Sequence, residues 1–191
     1  MGEQIKDGKG NGYLAHVNED NQLVTRAVAV EQRLKSALDG NYYEATTGKV
    51  TLTNATETGI IYLKNTHTTK EMIIDRVFWD IWASTDGSGG GTIRYYKDVT
   101  VVGGTAITPN ITLYGQPDAA DGTFLKSVTS LSGTEWWTGY MEASQSIALE
   151  EGRIVLQRNA THLISIAAPT GNTSMDVSIN VAFYYFNTAL V

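Results

Sequence analysis

The chain has 191 residues, a formal net charge of −6 and no cysteine. This length suits one domain with an extension, and such a chain buries about 70% of its unfolded surface without cross-links. The lack of cysteine excludes disulfides and thiolate metal sites, and the acidic balance argues against sequence-independent binding to nucleic acid.

The composition favours an all-β protein. Thr is abundant, Gly totals 19 and charged residues make up only 18% of the chain. Thr, Tyr and Val suit pleated strands, and Gly suits turns. A low charge with many Thr and Asn residues is also typical of a protein whose surface is covered by partners. The polar start predicts no secretory signal, and we expect no membrane span because no apolar run approaches about 20 residues.

Residues 1–25 differ from the rest of the chain and are interpreted as an N-terminal arm. Gly8, Gly10 and Gly12 make its first part flexible. Residues 18–21 give a strong turn signal between two short apolar pieces, residues 13–17 and 23–25. The pattern predicts a small hairpin on a flexible leader, too small to bury a core of its own.

Residues 26–40 are interpreted as a linker that contains one short helix, within residues 27–38. Val30, Leu34, Ala37 and Leu38 recur at the spacing of one helix face. Gly40 stands where a glycine would end that helix.

Residues 41–191 carry the period-two pattern of β-strands. The clearest strand covers residues 174–186, which begin with one apolar face and end apolar on both faces. Its predicted core-facing residues are Met175, Val177, Ile179, Val181, Phe183 and Tyr185. A second long strand, within residues 72–84, places Ile73, Val77, Trp79, Ile81 and Ala83 on one face, with Asp75 interrupting.

Shorter candidate strands, separated by turn signals, fill the space between these two. They cover residues 60–64, 92–100, 110–114, 123–131, 146–149, 154–157 and 162–167. Residues 86–91 are predicted to form a hairpin tip, and Glu151-Gly152 is predicted to form a turn. About eight strands at this spacing predict a single β-sandwich, for which a jelly roll is one natural arrangement. Immunoglobulin-like and barrel arrangements stay open.

The histidines do not have the spacing of a metal site. His16, His67 and His162 are far apart, and none has a second ligand at i+2 or i+4 on a shared strand face. We expect each to be a loop or surface residue. The chain also has no G-x-S-x-G nucleophile elbow. These patterns predict a protein that is not an enzyme and needs no metal or cofactor.

The candidate carboxylate pairs also lack the geometry of catalysis. Glu150 and Glu151 are neighbours on a strand, so their side chains point to opposite faces. Asp118 and Asp121 flank a turn, where Asp is common for local hydrogen-bonding reasons. The glycines of residues 8–12 have neither the preceding strand nor the following helix of a phosphate-binding loop.

Trp136, Trp137 and Tyr140 form the best candidate binding site in the sequence. Exposed aromatic rings stack on sugars and other flat apolar faces. The alternative interpretation is that one Trp fills the core while the other covers a loop or a subunit contact.

The leader resembles the start of a group of tailed-phage virion proteins that begin with DGxGxGYLAxVxxxNxL and continue into a β domain. The matching residues here are Asp7, Gly8, Gly10, Gly12-Tyr13-Leu14-Ala15, Val17, Asn21 and Leu23. The end of the chain is also similar, with Gly171-Asn172-Thr173 before an alternating strand that closes on Phe-Tyr-Tyr.

The resemblance implies a head decoration, cement or fibre-like protein of a virion, made in the host cytoplasm. It implies a homo-oligomer, with a trimer favoured, on the capsid surface; a tail location stays open. We expect Gly12, Tyr13, Leu14, Val17 and Leu23 to dock the arm on the major capsid protein or another virion protein. Ordering a leader costs about 1–2 kcal/mol per residue, and these few apolar side chains cannot offset that cost without a partner. Neither nucleic acid nor a membrane is an expected partner. The alternative is a tail-associated, carbohydrate-binding module for host recognition.

Overall fold

The computed structural model describes residues 16–17, 23–24, 32–52, 56–82, 90–113, 120–142, 146–169 and 175–186. The chain divides into two compact units, Met1–Glu31 and Gln32–Val191. In the first unit, strand β1 (His16–Val17) pairs antiparallel with strand β2 (Leu23–Val24). The predicted arm residues Gly12, Tyr13 and Leu14 lie outside the described residues.

The described residues of the second unit form one short helix followed by strands. The elements are α1 (Gln32–Leu38), β3 (Tyr42–Thr46), β4 (Val50–Leu52), β5 (Glu57–Asn65), β6 (Glu71–Trp82), β7 (Gly90–Val102), β8 (Thr105–Ala106), β9 (Asn110–Ile111), β10 (Gly122–Val128), β11 (Ser130–Glu142), β12 (Ser146–Leu156), β13 (Thr161–Ala167) and β14 (Met175–Phe186). Within the described residues, no helix has the length and apolar character that crossing a membrane requires.

The strands form two antiparallel sheets that pack face to face. Sheet I has the order β12-β6-β14-β3-β9, with β4 also pairing β14, and sheet II has the order β11-β7-β13-β5-β10-β8. The long strands pair as nested couples: β3 with β14, β5 with β13, β6 with β12 and β7 with β11. Successive couples alternate between the sheets, which is the connectivity of a jelly roll. The predicted all-β sandwich is therefore confirmed, and the jelly-roll arrangement holds among the alternatives.

Strand β14 is confirmed, and the structure shows that it is the central strand of sheet I. The six residues predicted to face the core are all buried in one cluster with side chains of both sheets; they are Met175, Val177, Ile179, Val181, Phe183 and Tyr185. The second half of the strand is also apolar on its other face, where Ala182 and Tyr184 pack with Tyr42. Burying both faces explains why the alternation is lost near the end of the strand.

Strand β6 changes phase at a bulge, so one part of its predicted face is wrong. Val77, Trp79 and Ile81 face the core as predicted, but Met72 and Ile74 do so in place of Ile73. The cause is Asp75, which has no partner in the ladder because Arg76 pairs with Ala182 and Ile74 with Phe183. An extra residue in one strand shifts every later side chain to the opposite face.

Two predicted turns are also wrong. Residues 86–91 do not form a hairpin tip, because Gly90 and Gly91 belong to β7, and β7 lies in a different sheet from β6, the strand before it. Glu151-Gly152 lies inside β12, where the pairing with β6 shifts between Glu150 and Ile154. A glycine within a strand often marks such an irregularity rather than a turn.

The helix ends as predicted, but of the described residues on its predicted apolar face only Ala37 packs on the sandwich. Gly40 has φ +69°; its N–H bonds the Ala37 carbonyl at 3.1 Å, and the Asn41 N–H bonds the Ser36 carbonyl at 2.8 Å. These two bonds form a Schellman cap. Ser36 is buried, whereas Leu34 and Leu38 are 54% and 63% exposed. Two of the three described residues on the predicted apolar face, Leu34 and Leu38, are therefore exposed to solvent, whereas Ala37 packs against the Tyr42, Ala182 and Tyr184 cluster.

Replacing Gly40 tests the helix cap. A Cβ atom at this position would meet Leu113 Cδ2 at 3.6 Å, an ordinary contact, so the penalty comes from the left-handed backbone alone. We expect Gly40→Ala to lower the free energy of unfolding by about 1 kcal/mol, measured by urea denaturation. Gly40→Asn is the matched control and should lose less, since Asn tolerates this conformation. Equal stability of all three proteins would contradict the capping role.

Candidate functional site

A bulge in β11, an edge strand of sheet II, brings two tryptophans to one side of the strand. Glu135 pairs with Tyr96 and Trp137 pairs with Tyr95, so Trp136 is the extra residue between them. The Trp136 and Trp137 rings both contact the Tyr95 ring, at centroid distances of 5.6 and 4.9 Å. A bulge re-aims side chains in this way, because two residues oppose one on the partner strand.

Tyr95 links this aromatic pair to the core between the sheets. Its hydroxyl oxygen accepts a hydrogen bond of 3.2 Å from Nε1 of Trp79, a fully buried residue of β6 in sheet I. The two rings meet edge to face, with centroids 6.4 Å apart. The buried hydrogen bond holds the Tyr95 ring in place, so the two exposed tryptophans pack against a ring of fixed orientation.

Trp137 and Tyr140 point to opposite faces of β11. Trp137 pairs with the inward-facing Tyr95, and Tyr140 pairs with Thr92, which has the opposite orientation in β7. A Cβ atom at Gly139 would lie 2.4 Å from Cη2 of Trp137, so a glycine is needed for that ring to lie along the strand. The three predicted aromatic residues thus form a Trp136–Trp137 pair and a separate Tyr140.

His162 belongs to the core, and the prediction that it is a loop or surface residue is wrong. It lies in β13 in phase with the core residues Ile164 and Ile166, and only 1% of it is exposed. Its ring stacks on Tyr95 at 5.5 Å and 16°, and the Trp136 ring is tilted against it at 6.1 Å. In the sequence His162 alternates in step with the apolar Ile164 and Ile166, so the period-two pattern of this strand indicates that His162 faces inward.

The burial of His162 determines its protonation state. Removal from water lowers the pKa of His162 to about 4, and a hydrogen bond with the Tyr96 backbone opposes the change only in part. The imidazole is therefore neutral at pH 7, with one donor and one acceptor nitrogen. Nε2 has no hydrogen-bond partner within the described structure. Leaving a buried polar atom unpaired costs about 1–3 kcal/mol.

A cavity of about 310 Å³ lies beside this histidine, between the edge strand β12 of sheet I and three strands of sheet II. Lys97 lies opposite His162 in the β7–β13 ladder, and the two side chains therefore share a face. The residues that line the cavity are Lys97, Trp136, Ile154, Val155, Leu156 and His162. This arrangement combines an apolar wall, an aromatic ring, a neutral acceptor and a cation.

The structure does not join the other predicted site residues to this cavity. Val17 and Leu23 pair directly in the N-terminal unit. Asp118 lies outside the described residues, and Asp121 Oδ2 is 3.6 Å from Nε2 of His67, in the connection between β5 and β6. Glu150 and Glu151 lie in β12, but their side chains are outside the described set. Among the described residues, no group of three or more His, Cys, Asp or Glu side chains is arranged to hold a metal.

Sequence reasoning missed Lys97 and Tyr95 as site residues, and it missed β11 as a strand. Nothing in the sequence links residues 95–97 to residues 136 and 162, because only the register of β7 with β11 and β13 brings them together. The sequence matches no protein-family model, and the search of curated proteins gives no match.

The lowered pKa of His162 predicts a loss of stability in mild acid. The unfolded chain takes up a proton near pH 6.5, whereas the folded chain does so only near pH 4. The free energy of unfolding should therefore fall by about 3 kcal/mol as the pH drops from 6.5 to 4, with no further loss from this group below pH 4. Urea denaturation across this range measures the change.

His162→Gln is the matched control for this pH dependence. Glutamine keeps a donor and an acceptor but does not titrate, so this variant should retain only the pH dependence of the carboxylates. The difference between the two stability curves isolates His162. Parallel curves from pH 7 to pH 4 would contradict a neutral, buried imidazole.

Proposed function

We propose that this chain is a non-enzymatic structural protein of a tailed-phage virion, which decorates or cements the capsid surface. The observation that carries the proposal is the division of the chain after Glu31 into a small N-terminal unit and a separate sandwich. In this proposal residues 1–25 attach the protein to the major capsid protein or another virion protein. The jelly roll projects from the surface as part of a homotrimer.

Both the fold and the N-terminal leader support this proposal. Jelly rolls with two antiparallel sheets are common in viral capsid proteins and lectins, whose roles require a rigid scaffold. The sandwich has its own core, with side chains from both sheets buried together. The described residues of the N-terminal unit form a two-stranded pair, which is marginally stable by itself and gains stability from a partner. Its sequence is also the part with the resemblance to virion proteins.

Deleting residues 1–25 tests the attachment role of the arm. The deletion removes no residue of the sandwich or of α1, so we expect an unchanged β-sheet circular dichroism spectrum and a Tm within a few degrees of the full chain. Binding to phage particles that lack this protein should be lost in a sedimentation assay. Deletion of residues 1–5 is the control and should keep full binding, since the leader motif begins after them. Full occupancy of particles by the longer deletion would refute the proposal.

A second candidate function is carbohydrate binding at the host surface. The observation in its favour is the Trp136–Trp137 pair, in which both rings are partly exposed on one side of β11 and are supported by Tyr95. Aromatic faces of this kind stack on the apolar faces of sugar rings. A protein on the virion surface with this site would contribute to host adsorption.

Removing the two tryptophans tests this second candidate. We expect the Trp136→Ala and Trp137→Ala double variant to lose the fluorescence quenching by host polysaccharide that the unchanged chain shows, and to reduce phage adsorption. The matched control is a Phe78→Ala and Trp82→Ala double variant, which removes two exposed aromatic residues from sheet I instead. Normal adsorption by the first variant, together with no quenching in the unchanged chain, would reject carbohydrate binding.

A further inference from the structure

We propose that the cavity beside His162 is a binding site for an acidic sugar residue, a hydroxylated ring that carries a carboxylate, as in uronic or sialic acids. This inference rests on the second candidate function and adds to it a site, a substrate class and two binding residues. Its basis is the chemistry of the side chains that line the cavity, one of which, His162, has a buried nitrogen without a hydrogen-bond partner in the described structure.

The size of the cavity suits one sugar ring. A volume of about 310 Å³ is at the lower end of the range for small-molecule sites, which are mostly apolar with a few placed polar groups. Ile154 and Leu156 of β12 form the apolar wall on the side of sheet I. Trp136 belongs to the opposite sheet and is 46% exposed, so its ring is accessible to a ligand.

The Trp136 ring is held in position for stacking. It packs nearly parallel to Tyr95, at an interplanar angle of 26°, and the Tyr95 hydroxyl is tied to Trp79. A supported ring loses little conformational freedom when a ligand arrives, so more of the stacking energy is retained as affinity.

His162 supplies the acceptor for a sugar hydroxyl. Its ring lines the cavity and is 1% exposed, and its Nε2 has no hydrogen-bond partner in the described structure. The neutral ring donates through its other nitrogen, because the ring already has a hydrogen bond with the Tyr96 backbone. Nε2 is closed to solvent, so a sugar hydroxyl can donate to it only after the side chains around it move; that bond would then satisfy a buried atom that otherwise lacks a partner.

Lys97 supplies the charge selectivity. It is exposed, lines the cavity, and forms no ion pair with any residue that the structure describes. Thr134 is the partner of Lys97 in the β7–β11 ladder. The next residue, Glu135, forms an ion pair with Arg94 at 3.5 Å and not with Lys97. Arg94 also binds Glu57 at 3.0 Å, so these carboxylates are neutralised away from Lys97. A ligand carboxylate would therefore meet a cation that no described carboxylate neutralises.

The experiment is a titration of the purified full-length chain by tryptophan fluorescence and calorimetry. The probes are D-glucuronate, D-galacturonate and N-acetylneuraminate, with D-glucose and D-galactose as neutral counterparts. We expect at least one acidic sugar to bind about tenfold more tightly than its neutral counterpart, and this preference should shrink at high salt.

Variants assign the binding to this cavity. Lys97→Gln should weaken acidic-sugar binding about tenfold, whereas Lys64→Gln, on another strand of sheet II, should not. Trp136→Ala should abolish the response, whereas Trp82→Ala, which removes a residue of the same 46% exposure from sheet I, should not. His162→Phe should weaken binding about tenfold by removing the acceptor. Because His162 is buried, the binding of this variant is compared only if its circular dichroism spectrum matches that of the unchanged chain. If the spectra differ, the Lys97→Gln and Trp136→Ala variants alone decide the test.

The outcomes separate this inference from the function on which it rests. Equal binding of neutral and acidic sugars, equal effects of Lys97→Gln and Lys64→Gln, or no binding of any probe would each overturn the inference. If the two-tryptophan variant then still fails to adsorb, carbohydrate binding stands without this site. Acidic-sugar binding that depends on Lys97, together with normal adsorption by the two-tryptophan variant, would support the site and reject its role in adsorption.

Discussion

The Tyr95 side chain joins the core of the sandwich to its candidate binding site. Its hydroxyl is hydrogen-bonded to Trp79 of the opposite sheet, and its ring contacts Trp136, Trp137 and His162. The same residue therefore ties the two sheets together and supports every aromatic group of the site. A site built on strands in this way is held more rigidly than one built on loops.

The jelly-roll connectivity explains why the site is at this side of the sandwich. The nested pairing leaves β11 and β12, which are neighbours in sequence, at the edges of their two sheets. The inward face of sheet II changes along its strands from the apolar Ile93 and Ile166 to Lys97 and His162. The apolar core thus ends at a cavity that the buried His162 and the exposed Lys97 both line.

Bulges account for most of the differences between the sequence pattern and the fold. Asp75 shifts the phase of β6, and its buried carboxyl group accepts a hydrogen bond of 2.7 Å from the Tyr42 hydroxyl. Trp136 is the extra residue in β11, and its bulge brings two successive tryptophans to one side of that strand. Each bulge disrupts one ladder locally and places a side chain where strict alternation would not.

The sequence by itself determined the fold class, the central strand β14 and the glycine that ends the helix, because these features depend on local alternation and backbone conformation. It did not determine the exposure of Leu34 and Leu38, the strand pairing that sets His162 beside Lys97, or the placement of β6 and β7 in different sheets. Those features depend on which strands pair and in which register, and that is decided by packing between residues far apart in the chain. The candidate site was predicted only through its two tryptophans, since Tyr95, Lys97 and His162 join them through strand pairing alone.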